Sequence, residues 1–159
     1  MTMHAISRRC TILGAVAALC ASSAISAHAD SIQYHGLGFT VRLPAGIAGK
    51  ESEGVDFNVY EFSRTADGAV MLGAYSGNAP DFPHAIPDDA SKATESINGL
   101  RATIYRWTDA SGHLGAEVLL ELAPQGVVRF PLYIHYWYRN LAEADAGVSD
   151  GIIASTMRR

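Results

Sequence analysis

The residues best equipped for chemistry in this chain lie along one short run, Tyr133-Ile134-His135-Tyr136-Trp137-Tyr138. In an extended strand, alternate side chains point to opposite faces, so Tyr133, His135 and Trp137 share one face while Ile134, Tyr136 and Tyr138 share the other. Tyr and Trp combine a large apolar area with a polar handle, and such residues make good anchors for a ligand or partner. The pattern therefore points to binding, with one face in the core and the Tyr133/His135/Trp137 face forming a flat platform that Tyr105 and Trp107 extend. The competing reading places one face beneath a terminal helix and leaves the other as ordinary, partly covered sheet.

Other constellations are weaker. Asp81, His84, Asp88 and Asp89 offer carboxylates and an imidazole in a proline-rich stretch, a donor set suited to zinc, manganese or calcium. Their spacing matches no metal-loop pattern, and the expectation is that the chain carries no metal and no cofactor. Ser76 lies in G-A-Y-S-G, which is not the nucleophile elbow G-x-S-x-G. His35, His84, His113 and His135 have no spacing that selects a catalytic triad. Gly36-Leu37-Gly38 is too short to cradle a phosphate and precedes a strand, so no catalytic residue is assigned.

The elements that must position these residues begin after an address segment. Arg8 and Arg9, the apolar run from Cys10 to Ile25 and the Ala27-His28-Ala29 site read as a cleavable secretory signal over residues 1–29, with Asp30 as the new N-terminus. The run is shorter than a membrane-spanning helix needs, and Ser22, Ser23 and Ser26 dilute it. Both cysteines, Cys10 and Cys20, leave with it, which excludes thiol chemistry from the mature chain. The mature chain keeps ten of the twelve basic residues and all sixteen acidic ones, a formal charge of −6. That balance, with no Lys/Arg cluster, excludes nucleic acid as a partner. The expected location is the periplasm or the exterior, with no integral membrane span.

Residues 30–159 read as one α+β domain built on an antiparallel sheet of about six strands. Phe39, Val41 and Leu43 alternate before Pro44. Val55 to Arg64 starts with Val55, Phe57 and Val59 inward, then switches to Tyr60 and Phe62, as a bulge or a two-sided strand would. Asp67-Gly68 predicts a turn into a strand over Ala69 to Tyr75. Pro80, Pro83 and Pro87 make Gly77 to Asp89 a loop, after which Asp88 or Asp89 caps a short helix over Ala90 to Thr94. Asn98-Gly99 predicts a hairpin, with the end of a helix as its alternative. Arg101–Trp107, Leu114–Leu122 and Val127–Tyr138 then form an antiparallel meander, with Pro131 marking a bulge or an edge. A closing helix is capped by Asn140 and Glu143, its inner stripe runs Leu141, Ala144, Val148, Ile152, and Arg158 and Arg159 lie at its negative end.

This layout resembles the PsbP-like family. The likeness rests on F-x-V-x-L-P-x-G (Phe39, Val41, Leu43, Pro44, Gly46), N-G-L-x-A (Asn98 to Ala102), the long aromatic strand and I-I-A-S (Ile152 to Ser155). The resemblance implies a non-enzymatic α+β binding or accessory domain with an antiparallel sheet flanked by helices, and it transfers no functional residue. The resulting expectation is a small exported accessory protein of the bacterial envelope with a protein partner. An inhibitor or immunity protein against a toxin or hydrolase is the sharper alternative, and an enzyme with a polar pocket is the rival from another class.

Overall fold

A computed structural model describes residues 31–78, 86–123 and 132–159. Residues 1–29, read above as a secretory signal, and Asp81, His84 and Pro131 lie outside the described residues. Two antiparallel sheets and one helix make up the described fold. The larger sheet contains β3 (Ile47–Glu53), β4 (Phe57–Arg64), β5 (Val70–Gly77), β6 (Ser91–Ile97), β7 (Leu100–Thr108), β8 (Leu114–Ala123) and β9 (Leu132–Leu141), in the order β3-β4-β5-β9-β8-β7-β6. The smaller sheet joins β1 (Ile32–His35), β2 (Phe39–Leu43) and β10 (Met157–Arg158) in the order β1-β2-β10. Helix α1 spans Glu143–Ala154.

Two meanders thus meet at the β5–β9 pair in the middle of the large sheet. This puts the aromatic strand β9 at the centre, with a neighbour on each side. Helix α1 and the small sheet cover one face of it. Phe39 from β2 meets Tyr60 and Tyr136 edge-on, with ring centroids 5.1 and 6.3 Å apart. Ser149 of α1 donates to the Met71 carbonyl at 2.9 Å, and the Tyr136 hydroxyl pairs with Thr156 at 3.0 Å. Between these layers lie Phe62, Leu72, Val118, Leu120, Leu122, Ile134 and Ile152, all buried. The core draws on alternate residues of each strand, which is why Val118, Leu120 and Leu122 could be read from period two alone.

Several expectations change. The described residues hold ten strands, not about six. The additional ones are mostly polar or short. In β3, Lys50, Glu51, Ser52 and Glu53 are all exposed at a sheet edge, where no buried face imposes alternation. The predicted helix over Ala90 to Thr94 is instead part of β6, the opposite edge, paired with β7 from Ser91 to Ile97. The Asn98-Gly99 turn decides this, with φ of 49° and 81° closing a two-residue hairpin. Val55 is fully exposed in a turn, not inward. β4 itself is two-sided, with Tyr60 and Phe62 in the core, Phe57 and Val59 half-buried on the far face, and a register shift between Phe62 and Ser63.

The helix also starts elsewhere. β9 runs on to Leu141, and Asn140 sits in it at a φ of 55°, so the N-cap is Ala142 and makes no side-chain cap bond. The buried stripe is Ala146, Ser149, Ile152 and Ile153, while Ala144 is exposed. Of the expected stripe, Ile152 is buried and Val148 and Leu141 pack against the core, Leu141 from the end of β9. Glu143 and Asp145 do occupy the first turn, but no basic residue lies in the last, because Arg158 has entered β10. Ser155 closes the helix instead, its Oγ donating to the Ile152 carbonyl at 2.7 Å and accepting from the Arg42 N–H at 2.8 Å.

Candidate binding face

The face of the large sheet away from α1 carries all five residues singled out from the sequence. Strand pairing sets them in rows. Gly73, Trp137, Glu117, Tyr105 and Lys92 face one another across β5, β9, β8, β7 and β6. The adjacent row is Tyr75, His135, Leu119, Thr103 and Thr94. Tyr133 lies opposite Glu121, and Trp107 opposite Gly115. Directly opposed residues project to the same side of a sheet, so register alone gathers them.

Glycine determines how the rings lie. A Cβ built on Gly115 would stand inside the Trp107 indole, one on Gly73 inside the Trp137 indole, and one on Gly77 against the Tyr75 ring. Each ring therefore lies across a bare stretch of backbone that no other residue would leave open. Phe57 stacks on Tyr75 with centroids 5.3 Å apart and planes inclined at 21°. The outcome is a face of flattened, half-buried aromatic rings.

Beneath the rings lies a charged group that sequence reasoning passed over. Glu117 is fully buried, although it sits on the side of β8 away from the core. Its two oxygens are divided between two partners, Oε2 at 2.9 Å from His135 Nε2 and Oε1 at 3.0 Å from Arg139 Nη2. A buried carboxylate is tolerated only when it is paired and hydrogen-bonded, and both conditions are met here. Arg139 in turn spreads its guanidinium over the Trp107 ring at 5.2 Å, and the His135 and Trp137 rings are 5.5 Å apart. Glu117 thus ties together the supports of both indoles. The available signal was the pair His135 and Arg139, four apart on one strand face, opposite a glutamate on the neighbouring strand.

His135 is therefore not part of an exposed platform, as had been expected. Only 1% of it is accessible. Tyr105, Trp107, Tyr133 and Trp137 remain half-buried. Elsewhere, Ser76 is buried and donates its hydroxyl to the Leu37 carbonyl at 2.7 Å, a structural role. His113 stands 3.7 Å from Asp109 on an exposed turn, and His35 is exposed. Asp88 and Asp89 are exposed, and among the described residues no three histidine, cysteine or acidic side chains are grouped so that they could hold a metal ion.

A shallow hollow of about 170 Å³ opens on this face, bounded by Arg101, Thr103, Leu119, Glu121 and Tyr133. A second, of about 210 Å³, runs beside Gly73, Trp137 and Arg139. No protein-family model matches the chain, and no curated protein matches it. A crystal structure from Bacteroides thetaiotaomicron VPI-5482 is similar at 12% identity and a TM-score of 0.38, over 77% of this chain and 45% of that one. The chain thus spans less than half of that protein's length, and a likeness of this degree carries no functional argument.

Proposed function

We propose that this chain is a small exported binding or accessory protein of the bacterial cell envelope, without catalytic activity of its own, and that it engages its partner through the helix-free face of the large sheet. The observation that carries this reading is the layer of flattened aromatic rings over a buried ion group on a face that no described element covers. Large, rigid aromatic area at low conformational cost is characteristic of binding surfaces. An enzyme needs titratable groups that reach a substrate, and the pair best suited to acid–base work, His135 and Glu117, is sealed from solvent.

Export is supported by the pattern of residues 1–29. No described helix is long and apolar enough to cross a membrane. The kinship proposed with PsbP-like domains agrees with a non-enzymatic role.

Site-specific photo-crosslinking in living cells tests the reading. A photoreactive residue at Thr94, exposed on this face, is expected to capture an envelope component, whereas one at the exposed Ala144 on α1 is expected to capture none. Capture from Ala144 alone, or equal capture from both, would overturn the assignment of the face.

A further inference from the structure

The hollow at Arg101, Glu121 and Tyr133 narrows the chemistry of the partner. Arg101 and Glu121 lie on neighbouring strands, one step beyond the paired Ala102 and Leu120. Among the described residues, the polar ends of Arg101, Thr103, Glu121 and Tyr133 make no side-chain hydrogen bond or ion pair, although all four border one cavity. Arg offers only donors, Glu only acceptors, and the Thr and Tyr hydroxyls both. Leu119 and the Tyr133 ring add apolar surface to its lining.

The charges in the hollow cancel, so neither an anion nor a cation is favoured. An apolar side chain seated there would strip water from a guanidinium and a carboxylate without replacing it, at a cost that excludes it. What satisfies donors, acceptors and apolar surface together is a neutral ring with hydroxyl or amide groups on its rim and C–H bonds on its face. That is a sugar. A volume of about 170 Å³ suits one ring rather than a larger ligand.

The site does not end at the hollow. Tyr133 and Trp137 point to the same side of β9 four residues apart, about 13 Å at roughly 3.3 Å per residue. A single ring cannot bridge them. The flattened Trp137 indole beyond the hollow is placed to stack on a later unit of the same chain, as aromatic faces stack on rings generally. We propose that the helix-free face binds a neutral glycan, one sugar seated between Arg101, Glu121 and Tyr133 and the following units running along β9 to Trp137. This rests on the assignment of that face as the binding surface.

Three probes test it on the purified exported protein, read by tryptophan emission: a β-1,4-linked N-acetylglucosamine hexamer, soluble peptidoglycan strands and lipid-free O-polysaccharide. At least one is expected to bind, and Arg101→Ala and Glu121→Gln are each expected to weaken it about tenfold while leaving the thermal melt unchanged. Binding of the hexamer or of a neutral O-polysaccharide supports the proposal and names the source, whereas binding of the peptidoglycan strands alone, which their carboxylates make anionic, overturns the neutral ligand. Silence of all three at millimolar concentration overturns it, as does binding that both variants retain. If the sugars are silent while Thr94 still captures a protein, the glycan falls and the binding face stands. If Thr94 also captures nothing, both fall.

Discussion

Glu117 is the residue on which the aromatic face turns, because one carboxylate anchors both His135 and Arg139 and through them the surroundings of two indoles. Removing the carboxylate takes its hydrogen bond from the buried His135 and its ion pair from the partly exposed Arg139, so Glu117→Ala is expected to cost about 1–3 kcal/mol. Urea unfolding measures this, and a change within about 0.5 kcal/mol, as at an ordinary surface site, would contradict it. The glycines make a separate claim. Gly115→Val must push the Trp107 ring off the sheet, because the new Cβ takes the space of the indole. Tryptophan emission in this variant is expected to shift to longer wavelength as the ring meets water. An unchanged spectrum would mean that the ring does not rest on the glycine.

At the scale of elements, the Asn98-Gly99 hairpin locks β6 to β7, and the Asn98 amide donates to the Ala154 and Thr156 carbonyls at 2.9 Å each. One turn therefore also holds the end of the helix. Gly99→Ala, forced to a φ of 81°, is expected to lower stability by about 1–2 kcal/mol. A melting temperature equal to the parent protein's would argue against a positive φ there. The strands easiest to read from sequence were those with a buried face, β2, β7, β8 and β9, where Phe39, Val41 and Leu43 or Val118, Leu120 and Leu122 alternate against the core. The edge β3 was not legible, and β6 only in its Thr94–Ile97 half through the Asn98-Gly99 turn, since Lys50, Ser52 and Lys92 face solvent or a half-covered surface and follow no apolar period. The aromatic face was legible as alternation on β9, and its extension to Tyr105 and Trp107 followed from strand adjacency. Its interior was not, because the burial of Glu117 depends on register between strands, which a single segment does not encode. The helix cap failed for a similar reason: Asn140 serves equally well at a left-handed strand end, and tertiary context chose that role.

For the whole molecule, the phenols buried between the two layers link folding to alkaline pH. Burial first, and the Glu51 carboxylate accepting its hydroxyl at 3.0 Å as a further cause, push the Tyr60 phenol up to about 12; the Leu37 N–H, donating to that oxygen at 2.7 Å, acts the other way. Burial and the nearby Asp150 carboxylate likewise push Tyr138 up to about 12. Tyr136 is raised as well, chiefly by burial. A phenol whose folded value exceeds its unfolded value near 10 keeps its proton in the fold but loses it in the unfolded chain. Stability is therefore fully present below about pH 10 and falls as pH rises toward about 12. Urea midpoints measured from pH 8 to 11.5 are expected to hold and then decline, and a flat profile would contradict the burial of these hydroxyls.

The account as a whole depends on the helix-free sheet face being a place where something docks and not merely a second core. The most direct test is to make Trp137→Ala and, on the same preparation, record far-ultraviolet circular dichroism with cooperative unfolding alongside photo-capture from Thr94. The predicted result is a folded, cooperatively unfolding protein that no longer captures its partner. A variant that loses its fold, or one that folds and captures as before, would contradict it.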